Sequence, residues 1–386
     1  MAEPLRRADA VELAIDGRAY GGWKEISIDL DLDAGASSFS LRVTERWQGQ
    51  PDRWAIEADS PCTVSIAGVP VITGHVDRLE TSLDGTSHSI DVSGRSKAGD
   101  LVDSSAIATP GSWRGRKLEQ IAAELAAPFG IQVQAAGDTG PAFRLFALQQ
   151  GETVWEAIQR LCSHRGLLAV SRPDGDVHIV SPKPVGTAVR LVQGLNILSL
   201  SGSHDVTGRF SSYIVKGQSA GDDELNGKPA AAAKGDASDP AVKRHRPLVI
   251  VAEDQVDGAA AKRRAEWEAT VRAARAQEAQ VIVLGWRRGD GALWEPGQRV
   301  ELDAPAALMT AELLVAGVGF RLGESGRSAE LRLVRPEAYS QLPVPEEAEA
   351  SRIRKKGTAR KPDEGKEAAR RRYERAVAAA EKAGVL

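Results

Sequence analysis

Residues 26–32 read Ile-Ser-Ile-Asp-Leu-Asp-Leu, a strict apolar–polar alternation. Successive side chains on a strand point to opposite faces, so this segment fits a strand with one face in a core and the other in water. The pattern recurs at short intervals. Val11-Glu12-Leu13-Ala14-Ile15 alternates ahead of an Asp16-Gly17 turn, and Phe39, Leu41 and Val43 continue the series. Cys62-Thr63-Val64-Ser65-Ile66 leads through Ala67-Gly68 into Val69 to Val76, and Asp84-Gly85 breaks the chain before Ser89-Ile90-Asp91-Val92-Ser93. Many short strands separated by turn dipeptides predict a barrel or sandwich over residues 1–105.

The period then changes. Leu118, Ile121, Ala122 and Leu125 fall at helical spacing and stop at Pro128 and Gly130, with Ile131-Gln132-Val133 as a short strand beyond. Gly151-Glu152-Thr153 opens a second helix whose Val154, Ile158, Leu161 and Cys162 share a face, and Gly166 suits its C-terminal cap. Leu167 to Ser171 and Val177 to Val180 flank Pro173-Asp174-Gly175-Asp176, the chemistry of a hairpin turn. Residues 106–190 therefore read as a small α+β module.

Residues 191–340 return to strands. Leu198, Leu200 and Tyr213 to Val215 belong to strands, Leu248 to Val251 is an all-apolar strand, and further strands fall at 281–284, 299–302, 313–320 and 329–334. A helix is expected from about Ala259 to Gln277, with Ala260, Trp267, Val271 and Ala274 in one stripe. The Gly-, Asp- and Ala-rich stretch 219–239 reads as a mobile loop. After Pro343 and Pro345 the chain becomes a charged tail (341–386), with twelve Lys or Arg against eight Asp or Glu from Glu346 onward. Residues 364–383 could form a partner-docking helix, but their apolar positions are mostly Ala, so alone such a helix is marginal. The fold class expected is α+β, mainly β.

At 386 residues the chain needs more than one core. A net charge of −3 lacks the basic excess of a dedicated nucleic-acid binder. Two cysteines, Cys62 and Cys162, both in apolar patterns, read as buried free thiols. The N-terminus has no long apolar stretch and no later run reaches membrane-spanning length, so folding in a reducing cytoplasm is expected.

Chemistry-bearing patterns are sparse. Ser203-His204-Asp205 has the residue types of a hydrolase triad, but neighbours on a strand diverge to opposite faces. The six histidines (His75, His88, His164, His178, His204, His245) lack ligand spacing, although His75 and His88 could face each other on paired strands. Carboxylates are plentiful without an evident glycosidase pair. Gly151-Glu152-Thr153 is a helix-start signal before it is a glycan-binding one, and Lys243-Arg244-His245-Arg246 reads as a solvated basic loop or a contact for an acidic face. No catalytic, cofactor-binding or metal-ligating residue is assigned, and no cofactor is expected.

The two strand-rich regions share an outline. The first runs Pro61-x-x-Val64-x-Ile66, Gly74-His75-Val76, Asp84-Gly85 and Ile90-x-Val92; the second runs Pro296-x-x-x-Val300-x-Leu302, Gly317-Val318, Ser325-Gly326 and Leu331-x-Leu333. This suggests two related β units in one chain.

Several segments carry a family likeness in a shared order. They are Gly22-Trp23-Lys24-Glu25-Ile26, Gly94-Arg95-Ser96-Lys97-Ala98-Gly99-Asp100-Leu101, Ala127-Pro128-Phe129-Gly130, Gly151-Glu152-Thr153-Val154-Trp155, Arg209-Phe210-Ser211-Ser212-Tyr213, Arg246-Pro247-Leu248, Gly285-Trp286, Asp290-Gly291-Ala292-Leu293-Trp294-Glu295-Pro296 and Thr310-Ala311-Glu312-Leu313. With them the chain resembles the baseplate hub of Mu-like contractile-tailed phages, related to late control D proteins and the hub part of VgrG spikes. The resemblance implies two tube-like β-barrel domains flanking the small α+β domain. It implies a structural, non-enzymatic homotrimer that adapts a six-fold tail tube to a three-fold spike and lets DNA leave through its channel. Implied partners are a trimeric tail spike protein, tail tube or tube-initiator proteins and other baseplate proteins, with phage DNA passing unbound. The implied location is the virion baseplate, after assembly in the host cytoplasm. A tail-associated cell-wall hydrolase or a peptidoglycan-binding module are the alternatives.

Overall fold

Two-residue turns set the first strands. In the computed structural model, which describes residues 9–45, 56–83, 88–183, 185–217, 234–251 and 258–341, Asp16 and Gly17 have φ of 49° and 75° and join β1 (Val11–Ile15) to β2 (Arg18–Tyr20). Positive φ at both turn residues matches the twist of an antiparallel pair. β3 (Glu25–Asp31) and β4 (Ser38–Glu45) follow, and Ala67-Gly68 (φ 51° and 77°) connects β5 (Pro61–Ile66) to β6 (Val69–Leu83), before β7 (His88–Ser96). The alternation read in the sequence is the observed burial: Ile26, Ile28 and Leu30 are buried, with Ser27, Asp29 and Asp31 on the other face.

A separate core holds the middle segment. It comprises α1 (Ala98–Asp103), β8 (Ser112–Trp113), α2 (Leu118–Ala126), β9 (Val133–Ala135), β10 (Phe146–Ala147), α3 (Val154–Arg165), β11 (Leu168–Ser171) and β12 (Val177–Val180). Thr153 caps α3 by accepting a hydrogen bond from the Glu156 amide, and the Glu156 carboxylate accepts one from the Thr153 amide. Gly166 ends the helix at φ 69°. The expected hairpin is present as β11 against β12. The short strand expected at 131–133 starts at Val133 and pairs in parallel with β12.

The later strands are β13 (Val185–Val192), β14 (Ser199–His204), β15 (Ser212–Lys216), β16 (Lys234–Ser238), β17 (Pro247–Val251), then α4 (Gly258–Arg275), β18 (Gln277–Leu284), β19 (Gln298–Ala304), β20 (Met309–Gly323) and β21 (Gly326–Val334). β15, β16, β17 and α4 form a small layer of their own, with Tyr213, Val215, Ala261 and Ala265 as its buried centre. The other six join β1–β7 in one thirteen-stranded sheet.

That sheet contains one strand order twice. In the first region neighbours run β3, β4, β7, β6, β5, β1; in the second they run β14, β18, β21, β20, β19, β13. β6 and β20 are both fifteen residues long, and each carries an irregularity, between Val76 and Arg78 and between Val315 and Gly317. Such bulges let a long strand bend and serve two layers. One pairing differs in direction, β1 running antiparallel to β5 and β13 parallel to β19.

Several expectations need correction. Among the described residues no barrel closes through strand pairing: the path is open, ending at β14 and at β2. The two regions are instead fused, because β3 pairs with the second half of β20, from Gly317↔Asp31 to Leu322↔Ile26. Part of the expected mobile loop 219–239 is strand β16, held because the helix packs straight onto it; a Cβ on Gly235 would lie 2.1 Å from the Lys262 amide nitrogen. The helix ends at Arg275, Gln277 belongs to β18, and its buried stripe runs through Ala261 and Ala265, not Ala260. β17 is apolar as read, yet Val249 and Val251 stand 50% and 64% exposed on an edge strand. The Asp84-Gly85 break, residues 219–233 and the tail from 342 lie outside the described residues.

Candidate assembly surface

The sheet presents one polar face along both regions. Side chains that alternate away from the core on β3, β4, β6, β7, β18, β20 and β21 include the carboxylates Glu25, Asp29, Asp31, Glu80, Asp91, Glu278 and Glu330. They also include the guanidinium groups of Arg42, Arg78, Arg95, Arg321 and Arg332. Each of these arginines is ion-paired. Arg42 meets Glu25 at 3.0 Å and Asp91 at 2.7 Å, and Arg95 meets Asp77 and Asp103 at 2.7 Å each. Arg78 pairs with Glu80, Arg321 with Asp29 and Glu330, and Arg332 with Asp31 and Asp33. The solvent-exposed pairs among these contribute little to stability. Their larger consequence is electrical: positive charge on this face is cancelled locally and the carboxylates are in excess.

The fusion between the regions is the best-built part of that face. Asp31 accepts hydrogen bonds from the Arg332 guanidinium at 2.7 and 3.2 Å, and Asp33 accepts from Arg332 at 2.6 Å and from the Tyr339 hydroxyl at 2.8 Å. Burial pulls the Arg332 guanidinium down, but its hydrogen bonds to Asp31 and Asp33 together with Tyr339 outweigh it, so the group is held above its ordinary value. Burial, reinforced by Asp33, holds the Tyr339 phenol well above the usual range. Gly317 faces Asp31 because the carboxylate lies across it; a Cβ there would come within 2.5 Å of Asp31 Oδ2.

The sequence candidates do not converge into a catalytic site. Ser203 and His204 lie on the exposed edge strand β14, and Asp205 accepts hydrogen bonds from Thr207, through its hydroxyl and its amide, which keep its carboxyl below the usual range. His75 pairs across the ladder with Arg95 and His88 with Leu83, so the two histidines do not face each other. Among the described residues no group of His, Cys, Asp and Glu has the arrangement of a metal site, and no helix is long and apolar enough to cross a membrane. Cys62 and Cys162 are buried free thiols. Burial pushes both up to about 12, with Asp77 adding to the effect at Cys62, so neither forms a thiolate readily. In the Lys243–Arg246 run, Arg246 lies over the Phe210 ring and donates to the Thr207 carbonyl. Glu152, beside the helix start, is held by Arg160 at 2.8 Å. A cleft of about 570 Å³ lies beside Trp267, Arg332 and Tyr339, where Trp267 donates to the Ser340 carbonyl and Asp33 accepts from both Arg332 and Tyr339.

Sequence reasoning missed three ion pairs that organise the molecule. The Asp29–Asp31–Asp33 alternation announces a carboxylate stripe, but its partners Arg321 and Arg332 lie some three hundred residues away. Asp239, only 7% exposed, is gripped by Arg209 Nε and Nη2 at 2.8 and 2.9 Å. That grip, against the opposing cost of burial and with help from the Ala241 amide, holds its carboxyl below the usual range.

Comparison with known proteins places these features in context. Residues 10–96 match the domain family described as Mu phage baseplate assembly protein GpP-like, N-terminal, and residues 98–181 match the second domain of baseplate hub protein gp44-like. Residues 209–267 match the third domain of tail protein NMB1110-like, and residues 257–342 the fourth domain of Mu phage baseplate assembly protein GpP. The chain is 34% identical to the baseplate hub protein gp44 of Escherichia phage Mu over 360 residues, covering 91% of this chain and 93% of that one. A 43 kDa tail protein of prophage MuSo2 from Shewanella oneidensis superposes with a TM-score of 0.78 at 32% identity, over 86% of this chain and all of that one. A tail protein from Neisseria meningitidis MC58 gives 0.71 at 26%, over 87% of this chain and all of that one.

Proposed function

The chain belongs to the family of Mu-type phage baseplate hub proteins, and from that membership we propose that it is a non-catalytic ring subunit: three copies surround a channel and join a six-fold tail tube to a three-fold spike. The observation that carries the proposal is the strand order repeated within one chain. A three-fold assembly can meet a six-fold surface when each subunit offers two near-equivalent faces. In this reading each β region is a tube-like unit of the ring, its sheet left open in the single chain. The chain divides at 1–105, 106–190, 191–340 and 341–386. Its partners are the trimeric spike, the tube or its initiator and other baseplate proteins, and its place is the virion, after assembly in the host cytoplasm.

The polar sheet face is the proposed channel lining. Every lysine or arginine that neutralises a phosphate releases counterions and adds affinity for DNA. A face whose arginines are each already held by carboxylates offers few such contacts, so DNA can pass without being retained. The test is mass in solution by light scattering together with averaged particle images. The expected result is three times the 41.1 kDa chain mass and a ring with six lobes. A species that stays single at high concentration, or a ring lined by net positive charge that retains duplex DNA at physiological salt, overturns the proposal.

A further inference from the structure

The cis joint between β3 and β20 has a vacant counterpart. Cross-strand partners align the two regions residue by residue. Leu41↔Val92↔Leu79 in the first corresponds to Val281↔Leu331↔Val318 in the second. Through the same ladders Ile26↔Leu41 corresponds to Leu200↔Val281, so Ile26 matches Leu200 and Asp31 matches Asp205. On β20 the stretch after the bulge, Gly317 to Leu322, pairs with β21 on one side and β3 on the other. Its match on β6, Arg78 to Leu83, pairs with β7 on one side and with no described strand on the other. The match of β3 is β14, which among the described residues pairs only with β18 and ends the sheet. One chain thus exposes both halves of a joint it has already made once.

We propose that β14 of one copy adds to the free edge of β6 in the next, repeating between chains the joint that β3 and β20 make within one. The register follows from the cis joint: Leu83 lies opposite Leu200, Glu80 opposite Ser203, and Arg78 opposite Asp205. The chemistry fits that register. Leu83 is 79% exposed in the single chain and gains an apolar neighbour. Arg78 replaces the glycine of the cis joint and meets a carboxylate directly; opposite charges facing each other across strands are favourable and like charges are not. Unpaired edges of this kind template strand addition, and a heterologous contact repeated head to tail closes a ring when its rotation allows. The proposal rests on the trimeric ring proposed above and assigns the contact that would close it.

Paired cysteines in the full chain test it. Antiparallel partners lie about 4.5 or 5.5 Å apart at Cα, within the span of a disulfide, and the native Cys62 and Cys162 are buried and do not compete. The variants are Glu80→Cys with Ser203→Cys, and Leu83→Cys with Leu200→Cys. These pairs are three residues apart in register, so one of them is of the closer type. Mild oxidation is expected to link chains into dimers and trimers on a denaturing gel in at least one of them. The offset pair Glu80→Cys with Leu200→Cys, about 10 Å apart, and each single variant should stay unlinked. Light scattering on the same samples separates the two readings: a trimer without cross-links in either pair overturns the edge pairing alone, and an unlinked monomer overturns the ring as well. Equal linking by the offset pair overturns the register. As a second measurement that leaves the core untouched, Arg78→Asp and Asp205→Arg should each raise the concentration at half-assembly by about tenfold or more, and their combination should restore it. Failure of the double swap to recover assembly contradicts the Arg78–Asp205 contact.

Discussion

The two β regions share a strand order and, along β3, β4, β7, β6 and β14, β18, β21, β20, a register, and they solve their packing with opposite residues. In the first, Phe39 lies across from Gly94; at the matching place in the second, Ala279 lies across from Leu333. A large side chain faces a small one in both, with the strands exchanged. The Phe39 ring occupies the space beside Gly94, where a Cβ would come within 2.8 Å of it and within 2.0 Å of the His75 carbonyl. What the comparison teaches is that the pairs share a volume and not a sequence, since a core needs its space filled and is indifferent to which strand fills it. The largest expected effect follows. Phe39→Ala, at a 3% exposed site, should cost about 3–5 kcal/mol in chemical denaturation. Ala279→Phe should cost about 1–3 kcal/mol by overpacking. Combining it with Leu333→Gly rebuilds the first region's arrangement, and the double should fall short of the summed single costs by at least about 1 kcal/mol. Strict additivity would break the equivalence of the two pairs.

The second region also carries something the first lacks, the layer of β15, β16, β17 and α4 between β14 and β18. Its polar lock is Asp239 with Arg209, both largely buried. Removing the cation leaves a carboxylate with little water, so Arg209→Ala should cost about 3 kcal/mol. The pH dependence has a definite sign. Asp239 has a depressed folded-state value, caused first by the Arg209 hydrogen bonds. Its stabilisation is therefore present above the ordinary aspartate value and is lost as pH falls through the depressed one. Asp239→Asn should flatten the acid limb of a stability–pH curve. If the limb keeps its full slope, the lock does not report on this layer.

How much of this was legible varies with the range over which the information acts. Alternation at residues 26–32 and 62–66 gave strands with the right faces, and Gly151-Glu152-Thr153 and Gly166 marked both ends of α3, because caps and pleats are set within a few residues. β16 was missed because Lys-Gly-Asp-Ala-Ser has no alternating apolar residues; the helix lying on Gly235 makes it a strand. β6 and β20 proved longer than their apolar runs, since their second halves are held by neighbouring strands. The duplication was visible in outline, but its glycines misled. Gly74 and Gly317 look equivalent in sequence, whereas the ladders match Gly317 with Arg78. The polar face was half-readable: its carboxylates stand in sequence, and the arginines that hold them do not. The fusion of β3 to β20 had no local signal at all.

The smallest expected effects compare the cis joint with its proposed counterpart. Asp31 and Arg332 have side chains 29% and 27% exposed, so Asp31→Ala strips a partner from a half-buried cation, although Asp33 remains to hold it. A loss of about 1–2 kcal/mol in the stability of the single chain is expected, less than for a fully buried pair. Asp205→Ala changes a side chain whose described contacts go to Thr207, at the exposed end of β14. It should leave the stability of the single chain essentially unchanged, while shifting assembly with concentration. Melting curves recorded under dilute, monomeric conditions compare the two variants without interference from association. If Asp205→Ala lowers stability as much as Asp31→Ala does there, its work is internal, as Asp31's is. Equal losses would mean that matching positions in the two regions do the same job in cis, and an edge kept free for a second copy would have no support from this pair.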